Sequence, residues 1–410
     1  MRLPCRIVLP RVGYAVATVA WVSVAACTPD SGGGAGLATS GSWVYVQTTV
    51  ATPDGRTSTL QLTDDPAFGT LRRELAVELP GNTRVFSDGR RLFTGSAEEP
   101  VLQRWHPTTD GGLVPGERLS LAAEGFTSVP YGNTFARADK AYLFDGATAR
   151  ALIWDPATLT VTGEVDLSAI EKPGLTPALD PGVVVGKYLF GLVQQYDFAT
   201  NALFRGLQVV VIDVDTDTVV AVLEDERCVG GVGSLAVTDD EDLLVLGDNY
   251  LVMNWFDETL PPTCLLSIDT TALRFDDAAP VDLEQLTGGP SVGLVHDGAR
   301  TFVQALDESA SETDPRIEPL AFLNAPVARW WTIDRVDPRA SRPLAGIGLV
   351  SPRSGPGFVI EGRTYLQGAS AGFTGQTSLL EVVDDRSVEV RGTVTGLITG
   401  LGPLDLQAAP

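Results

Sequence analysis

Apolar and polar residues alternate along most of this chain in short segments, and one such segment returns many times. It begins after a turn and closes on a glycine or a polar residue, and it is found at Asp88–Gly95, Asp139–Gly146, Gly186–Leu192, Glu241–Asp248, Gly298–Ala305 and Gly362–Ala369. Short segments rich in Val, Leu, Ile, Phe, Tyr and Trp are typical of β-strands. Helical periodicity is hard to find after residue 41. The pattern therefore predicts an all-β fold.

A second set of repeated positions marks the turns between strands. Apolar segments end on a polar turn at His106–Thr108, Asp155–Thr158, Asp213–Thr216, Asp269–Thr271, Asp334–Asp337 and Asp384–Ser387. The intervals are about 50 to 65 residues, and such a period indicates a repeat architecture. Four strands fit in each interval, which is the size of a propeller blade. An Asp side chain can accept hydrogen bonds from the backbone two residues on, so we interpret these aspartates as turn-forming residues.

Dividing the chain at these turns gives seven blades, at residues 42–80, 82–123, 126–170, 174–227, 229–288, 291–347 and 350–396. The first blade has only three clear strands, and a further apolar segment, Thr395–Leu404, follows the last one. An open ring would expose two sheet edges, so we expect the C-terminal strand to complete blade one. The prediction is a seven-bladed β-propeller of four-stranded blades at residues 42–404, with a tail at 405–410. Six or eight blades are the alternatives.

The turn at Ile153–Thr158 resembles those of seven-bladed propellers of the YncE-like or quinoprotein-like kind. In those proteins a hydrophobic-Asp-x-x-Thr turn joins the outer strands of each blade. The resemblance covers nearly the whole chain and implies the propeller scaffold. Quinone-dependent dehydrogenases add tryptophans that face the cofactor and calcium ligands, and these positions do not map onto this sequence.

The first residues indicate export. A basic segment precedes the short apolar segment Val12–Ala26, which is the layout of a signal peptide. Val24–Cys27 resembles a bacterial lipobox, in which the cysteine becomes the lipidated first residue. We predict a lipoprotein signal peptide at 1–26, a lipidated Cys27 and a flexible Gly- and Ser-rich tether at 27–41. The mature protein would be anchored by lipid in the bacterial cell envelope, at the outer membrane. The alternative is an ordinary cysteine after a conventional cleavage site.

Charge and cysteine content narrow the function further. The net charge of −23 disfavours nucleic acids and anionic lipid surfaces as partners. Cys5 lies in the signal peptide, so Cys228 and Cys264 are the two cysteines of the folded part. Disulfides persist in exported proteins, and we predict one between these two residues, the alternative being two free thiols.

The long connections indicate where function lies. In a propeller blade the second-to-third hairpin and the link to the next blade lie on one face, here called the loop face. The other hairpins lie on the opposite face. Long second-to-third connections occur in blade four (Val193–Arg205), blade five (Asp248–Thr263) and blade six (Asp307–Asn324). Insertions gathered on one face of a rigid scaffold are typical of a binding surface, and tolerated decoration is the alternative.

We therefore predict that a small molecule or a protein partner binds the loop face. Aromatic side chains provide rigid contact area, and arginines beside them suit an anionic ligand. The candidate ligand-binding residues are Tyr196, Phe198, Arg205, Tyr250, Trp255, Phe256, Arg316, Arg329 and Arg363. The lipobox and propeller layout resemble surface lipoproteins that accompany TonB-dependent receptors, including a group associated with siderophore uptake. This resemblance implies a ferric siderophore as the ligand.

Catalytic motifs are scarce. The chain has two histidines, His106 and His296, and it has neither a phosphate-binding loop nor a Cys-x-x-Cys pair. We expect a binding protein without catalysis and without a cofactor or metal, although the resemblance leaves a bound calcium ion or quinone open. Two alternatives remain. One is a propeller enzyme, either a quinone-dependent dehydrogenase or a hydrolase or lyase that uses acids at the ring centre. The other is a scaffold that docks onto an outer-membrane receptor.

Overall fold

The computed structural model describes residues 36–38, 40–65, 71–129, 131–197, 200, 202–230, 234–248, 259–355 and 357–406. These residues form seven antiparallel sheets, so the predicted seven-bladed propeller is confirmed. The predicted signal peptide and Cys27 lie outside the described residues. Near the end of the predicted tether, Leu37 forms a β-bridge with Thr108 of blade two, and the Ala38 N–H donates to the Pro107 carbonyl at 2.9 Å.

The strands are numbered in chain order. Blade one contains β1 (Ser42–Thr52), β2 (Gly55–Thr63) and β3 (Val77–Pro80). Blade two contains β4 (Thr83–Ser87), β5 (Leu92–Ser96), β6 (Val101–Pro107) and β7 (Leu113–Ser120). Blade three contains β8 (Asn133–Arg137), β9 (Lys140–Asp145), β10 (Arg150–Asp155) and β11 (Thr160–Asp166). Blade four contains β12 (Thr176–Leu179), β13 (Val183–Val185), β14 (Tyr188–Asp197), β15 (Ala202–Leu203), β16 (Leu207–Asp213) and β17 (Thr218–Asp225).

The second half continues the same order. Blade five contains β18 (Ser234–Val237), β19 (Leu243–Gly247), β20 (Cys264–Asp269), β21 (Arg274–Phe275) and β22 (Val281–Asp282). Blade six contains β23 (Ser291–His296), β24 (Thr301–Leu306), β25 (Ala328–Ile333) and β26 (Arg342–Pro343). Blade seven contains β27 (Phe358–Ile360), β28 (Arg363–Ala369), β29 (Gln376–Val382) and β30 (Val388–Thr395), and β31 (Leu397–Asp405) follows. Two short helices are α1 (Leu283–Thr287) and α2 (Pro319–Asn324). Single 3-10 turns lie at Arg73–Leu75, Ala122–Glu124, Ser168–Ile170, Glu308–Ala310, Pro338–Ala340 and Gly372–Thr374.

The C-terminal strand closes the ring, as predicted. β31 pairs with β1, from Ser42 opposite Asp405 to Thr49 opposite Leu397, and the sheet order is β31-β1-β2-β3. β31 also contacts β4 of blade two and β27 of blade seven. The last strand of the chain is therefore the innermost strand of blade one, and it leaves no open seam beside the axis.

Apolar side chains fill the spaces between neighbouring blades. Between blades two and three, Phe93 and Trp154 are fully buried, and their ring centroids lie 5.3 Å apart in an edge-to-face arrangement. The indole N–H of Trp154 donates to Asn133 Oδ1 at 3.0 Å, so the polar atom of this large side chain is satisfied. Similar clusters lie at each of the other interfaces between the described blades. The ring is thus held by packing between blades as well as by strand pairing within them.

The turn aspartates have the structural role expected of them. Asp155 Oδ1 accepts the backbone N–H of Ala157 at 2.7 Å, and Asp155 Oδ2 accepts the Thr158 hydroxyl at 2.8 Å. The backbone then turns through the left-handed region at Leu159, whose φ is 54°. The same geometry recurs at Asp217 and Leu273, with φ of 56° and 51°. These turns connect third and fourth strands on the opposite face.

Candidate functional site

The connection in blade four is shorter than the sequence indicated. β14 continues to Asp197, and β15 pairs with its last residues, so Val193–Asp197 is strand and not loop. Gln195 and Tyr196 point to opposite faces of this strand, and both are buried. The Tyr196 side chain is buried, with 8% of the residue exposed, and burial raises its pKa. Tyr196 therefore belongs to the interior of blade four and does not lie on its surface.

The four predicted arginines lie in different places. Arg205 joins the connections of blades four and five, because its Nη1 donates to Thr259 Oγ1 at 2.8 Å. In blade six, Arg316 is ion-paired with Glu308 at 3.3 Å, and Arg329 lies 3.8 Å from Asp307. Arg363 begins β28 directly after a first-to-second turn, so it lies on the opposite face. The structure therefore does not gather these arginines into one site. Phe198, Tyr250, Trp255 and Phe256 lie outside the described residues.

A disulfide joins Cys228 to Cys264, with Cα atoms 5.5 Å apart. Cys228 lies in the link into blade five and Cys264 begins β20, so both are on the loop face. Neither residue is exposed. The end of β19 packs against the segment that contains Cys228. A Cβ added at Gly247 would lie 2.5 Å from the Val229 carbonyl oxygen and 2.9 Å from Cys228 Cβ. Glycine is required at this position because the connection into blade five, which the disulfide holds in place, passes directly over it.

Charged residues from several blades converge near the axis on the loop face, and we call this region the axial mouth. It comprises Arg84 near the start of β4, Tyr131 just before β8, Asp180 between β12 and β13, and Asp248 directly after β19. The charges of Arg84 and Asp180 act on each other, and so do those of Asp180 and Asp248. Blades two to five each contribute one of these residues. Strand order therefore brings together side chains that are far apart in sequence.

Two arginine–aromatic pairs lie on the loop face, one within the axial mouth and one between blades one and seven. The Arg84 guanidinium lies over the Tyr131 ring, 3.7 Å from its centroid, and Tyr131 is 52% exposed. The Arg56 guanidinium lies 3.9 Å from the centroid of Phe373. Burial, together with the positive charge of Arg56, lowers the pKa of Arg84, while Tyr131 and Asp180 oppose this. Such stacking holds each guanidinium flat and keeps its N–H edge available to a ligand.

The carboxyl side holds Asp180 and Asp248. Gln194 Nε2 donates to Asp180 Oδ2 at 2.6 Å, but burial outweighs this bond and the attraction of Arg84, so the pKa of Asp180 is raised. Burial and the charge of Asp180 raise the pKa of Asp248 well above its ordinary range, although Asp248 accepts a hydrogen bond from the Gly293 N–H. Two neighbouring carboxyl groups in a desolvated site cannot both ionise freely. The carboxyl groups of Asp180 and Asp248 therefore release their protons at a higher pH than free carboxyl groups do.

Local backbone features place the two acids. Asp180 is followed by Pro181 and Gly182, which interrupt the inner strand between β12 and β13. A Cβ at Gly182 would lie 2.5 Å from the Phe190 carbonyl oxygen, so glycine lets this irregular segment stay close to β14. Gly293 forms a bulge in β23, with φ of 78°. Bulges of this kind redirect side chains and backbone groups at functional positions.

The sequence did not reveal the axial mouth because no motif unites its members. The available signals were the Asp-Pro-Gly break at residues 180–182 and the Gly-Asp pair that ends β19. Among the described residues, no group of three or more His, Cys, Asp or Glu side chains is arranged to hold a metal ion. The described part of the chain also contains no helix long and apolar enough to cross a membrane.

Comparisons with known proteins support the fold. The structure is similar to a protein from Lactobacillus plantarum (11% identity, TM-score 0.54, covering 88% of this chain and 100% of the other). It is also similar to a hypothetical selenium-binding protein from Sulfolobus tokodaii (8%, 0.53, 88% and 92%). A third similar structure is the periplasmic gluconolactonase of Pseudomonas aeruginosa (12%, 0.50, 88% and 99%). The chain is a seven-bladed β-propeller. At these identities the likeness shows the fold alone. No protein-family model and no curated protein matches the sequence.

Proposed function

We propose that this protein is an exported, lipid-anchored propeller that binds an anionic, aromatic small molecule at the axial mouth. The observation that carries the proposal is the pair of guanidinium groups stacked on aromatic rings, Arg84 on Tyr131 and Arg56 on Phe373. An anion can accept hydrogen bonds from the guanidinium edges while an aromatic group of the ligand packs beside the exposed Tyr131 ring. The lipid anchor rests on the lipobox-like sequence at Val24–Cys27.

A ferric siderophore of the catecholate class has this chemistry, since it is anionic and aromatic. The net charge of −23 opposes such a ligand, but the local balance at the axial mouth is different. Burial raises the pKa of both Asp180 and Asp248, so these carboxyl groups repel an anion less than ionised groups would. The axial mouth thus offers arginine beside aromatic rings, the combination that the sequence had suggested for other residues.

The test is binding of an iron(III) tris-catecholate complex, followed by quenching of tryptophan fluorescence and by equilibrium dialysis. Arg84→Gln removes the guanidinium charge and should weaken binding about tenfold, because a desolvated cation–π and charge-assisted contact contributes about 1–2 kcal/mol. Arg363→Gln, on the opposite face, is the matched control and should bind like the wild type. Equal affinity of Arg84→Gln and wild type would remove the axial mouth as the site. Absence of binding by catecholate and hydroxamate iron complexes alike would remove the siderophore.

A second candidate function is a hydrolase or lyase, and the carboxyl pair Asp180 and Asp248 favours it. A carboxyl group whose pKa is raised can serve as a general acid near neutral pH, with a neighbouring carboxylate as the base. Activity toward esters, lactones or glycosides that disappears in both Asp180→Asn and Asp248→Asn, with folding unchanged, would establish this function in place of simple capture.

A further inference from the structure

A second polar groove lies away from the axial mouth, where blade seven meets blade one. It has a volume of about 570 Å³ and lies between the β1–β2 face of blade one and the outer strand β30 of blade seven. The segment that precedes β3 borders it through Leu71, Arg73 and Ala76. This volume is in the range of small-molecule sites.

The groove forms because the packing between these blades changes from apolar to polar. Val44 and Val46 of β1 pack into the cluster shared with blade seven. Two and four residues further along the same strand face, Thr48 and Val50 line the groove instead. On β2 the side chains that point the same way are Thr59, opposite Thr48, and Gln61, opposite Val46. An apolar cluster fills the interior of each interface between blades, whereas hydroxyl and amide groups line this groove.

One of these polar groups has a vacant acceptor. Gln61 is 5% exposed, and its Oε1 atom is buried with no hydrogen-bond partner among the described residues. A buried amide oxygen without a partner is destabilising. The nearby Thr48 and Thr59 hydroxyls bond each other at 2.7 Å and do not supply the missing donor. Gln61 also lines the groove, so rotation of its amide group presents this oxygen to a ligand hydroxyl that enters.

The charged residues that line the groove indicate a second group that the ligand should carry, besides its hydroxyl. No Asp or Glu is among the described residues that line the groove, whereas Arg73 and Arg391 both are. Arg391 is already ion-paired with Glu381 at 2.5 Å and Glu389 at 2.9 Å. Arg73 takes part in no ion pair found among the described residues, so its guanidinium is the group that can bind an acid. Arginine binds a carboxylate through two parallel N–H donors.

We propose that this groove between blades seven and one binds a small polyhydroxylated carboxylic acid. Its hydroxyl groups bond Gln61 and the threonines of both walls, Thr393 and Thr395 included. Its carboxylate binds Arg73. The site shares no residue with the axial mouth, so the two proposals stand or fall separately.

The test is isothermal titration of the full-length protein with gluconate. Sorbitol, which has the hydroxyl groups but no carboxylate, and acetate, which has only the carboxylate, are the reference compounds. Gluconate should bind at least about tenfold more tightly than either, since both sets of contacts are needed. Gln61→Met and Arg73→Gln should each weaken gluconate binding about tenfold. Arg72→Gln is the matched control, because Arg72 donates to the Asp110 carbonyl at 3.0 Å and does not line the groove.

Thermal unfolding distinguishes lost binding from lost folding. Gln61→Met removes an unsatisfied buried oxygen, so its melting temperature should equal or exceed that of the wild type. Binding of the iron(III) tris-catecholate should be unchanged in Gln61→Met, and binding of gluconate should be unchanged in Arg84→Gln. No binding of gluconate at millimolar concentration, or binding by the Gln61→Met and Arg73→Gln variants that is as tight as binding by the wild type, would overturn the proposal.

Discussion

The two faces of this propeller treat their carboxyl groups in opposite ways. On the opposite face, Asp297 Oδ2 accepts bonds from Arg300 Nη2 at 2.6 Å and from the Thr364 hydroxyl of blade seven at 2.7 Å. On the loop face, Asp248 is buried, accepts a hydrogen bond from the Gly293 N–H and interacts with the charge of the Asp180 carboxyl group. Burial raises the pKa of Asp297 as well, but the bonds from Thr364 and Arg300 outweigh it, so the pKa of Asp297 is lowered.

This difference separates scaffold from site. Carboxylates of the opposite face link neighbouring blades. Asp217 of blade four, for example, accepts a bond from Lys140 of blade three at 2.9 Å and another from the Tyr142 hydroxyl. Such bonds hold neighbouring blades together. The acids of the axial mouth oppose folding when they are ionised, and residues that reduce stability in this way are found most often at functional sites.

The largest expected effect tests how the loop face is held in place. Replacing Cys228 and Cys264 together by alanine removes a cross-link between residues separated by 36 positions. The free energy of unfolding should fall by about 3–4 kcal/mol, because the unfolded chain regains the entropy of that loop. Urea unfolding of the wild type and the double variant, measured by circular dichroism, gives the difference.

Reductant provides the control for this experiment. Unfolding the wild type in excess dithiothreitol should lower its stability to that of the double variant, whereas the double variant should not respond. If the double variant and the oxidised wild type unfold at the same urea concentration, the covalent tie does not stabilise the loop face.

A smaller effect is expected at the opposite face from Asp297→Asn. The variant loses charge-assisted hydrogen bonds to Arg300 and Thr364, so its unfolding free energy at pH 7 should be about 2 kcal/mol lower. The folded pKa of Asp297 lies below the unfolded one. Its stabilisation is therefore complete above the unfolded pKa, about 4, and is lost as pH falls through the folded pKa. Wild type and variant should converge in urea titrations at low pH, and a constant difference at all pH values would contradict this origin.

The sequence was sufficient to predict the scaffold because the scaffold is local and repeated. Each Asp-x-x-Thr turn closes through bonds to residues two and three positions away, as at Asp155, so a short motif identifies it. The missing strand of blade one and the spare C-terminal strand predict each other, and β31 lies where that argument put it. Patterning on this scale depends on neighbours in sequence, which a single chain displays.

The site could not be predicted in the same way because it depends on distances across the ring. Arg84, Tyr131, Asp180 and Asp248 come from four blades, and nothing in their local sequence shows that their charges interact. Tyr196 is the reverse case, because the local sequence suggested a surface position that the structure does not show. Its polar neighbours suggested a loop, but pairing between β14 and β15 extends the strand and buries the ring. In both cases the position of the side chain depends on contacts between strands or blades, which the local sequence does not display.

The smallest expected effect is also the one that separates the two faces most directly, and it concerns Asp248→Asn. Burial and Asp180 raise the folded pKa of Asp248 above its unfolded value, which is the reverse of Asp297. The folded state therefore holds a proton that the unfolded state releases, so the wild type loses stability as pH rises from about 4 toward the folded pKa. Each unit of elevation corresponds to about 1.4 kcal/mol.

Asparagine keeps an oxygen that can accept the Gly293 N–H bond but has no proton to lose. The variant should thus match the wild type near pH 4 and become more stable than it as pH rises, by at least about 1 kcal/mol at pH 8, as measured by urea unfolding. Asp139→Asn, at the exposed β8–β9 hairpin of the opposite face, is the control for charge alone and should leave the profile nearly unchanged. A parallel pH dependence for Asp248→Asn and wild type would show that the axial mouth does not hold its protons, and the contrast between the two faces would then disappear.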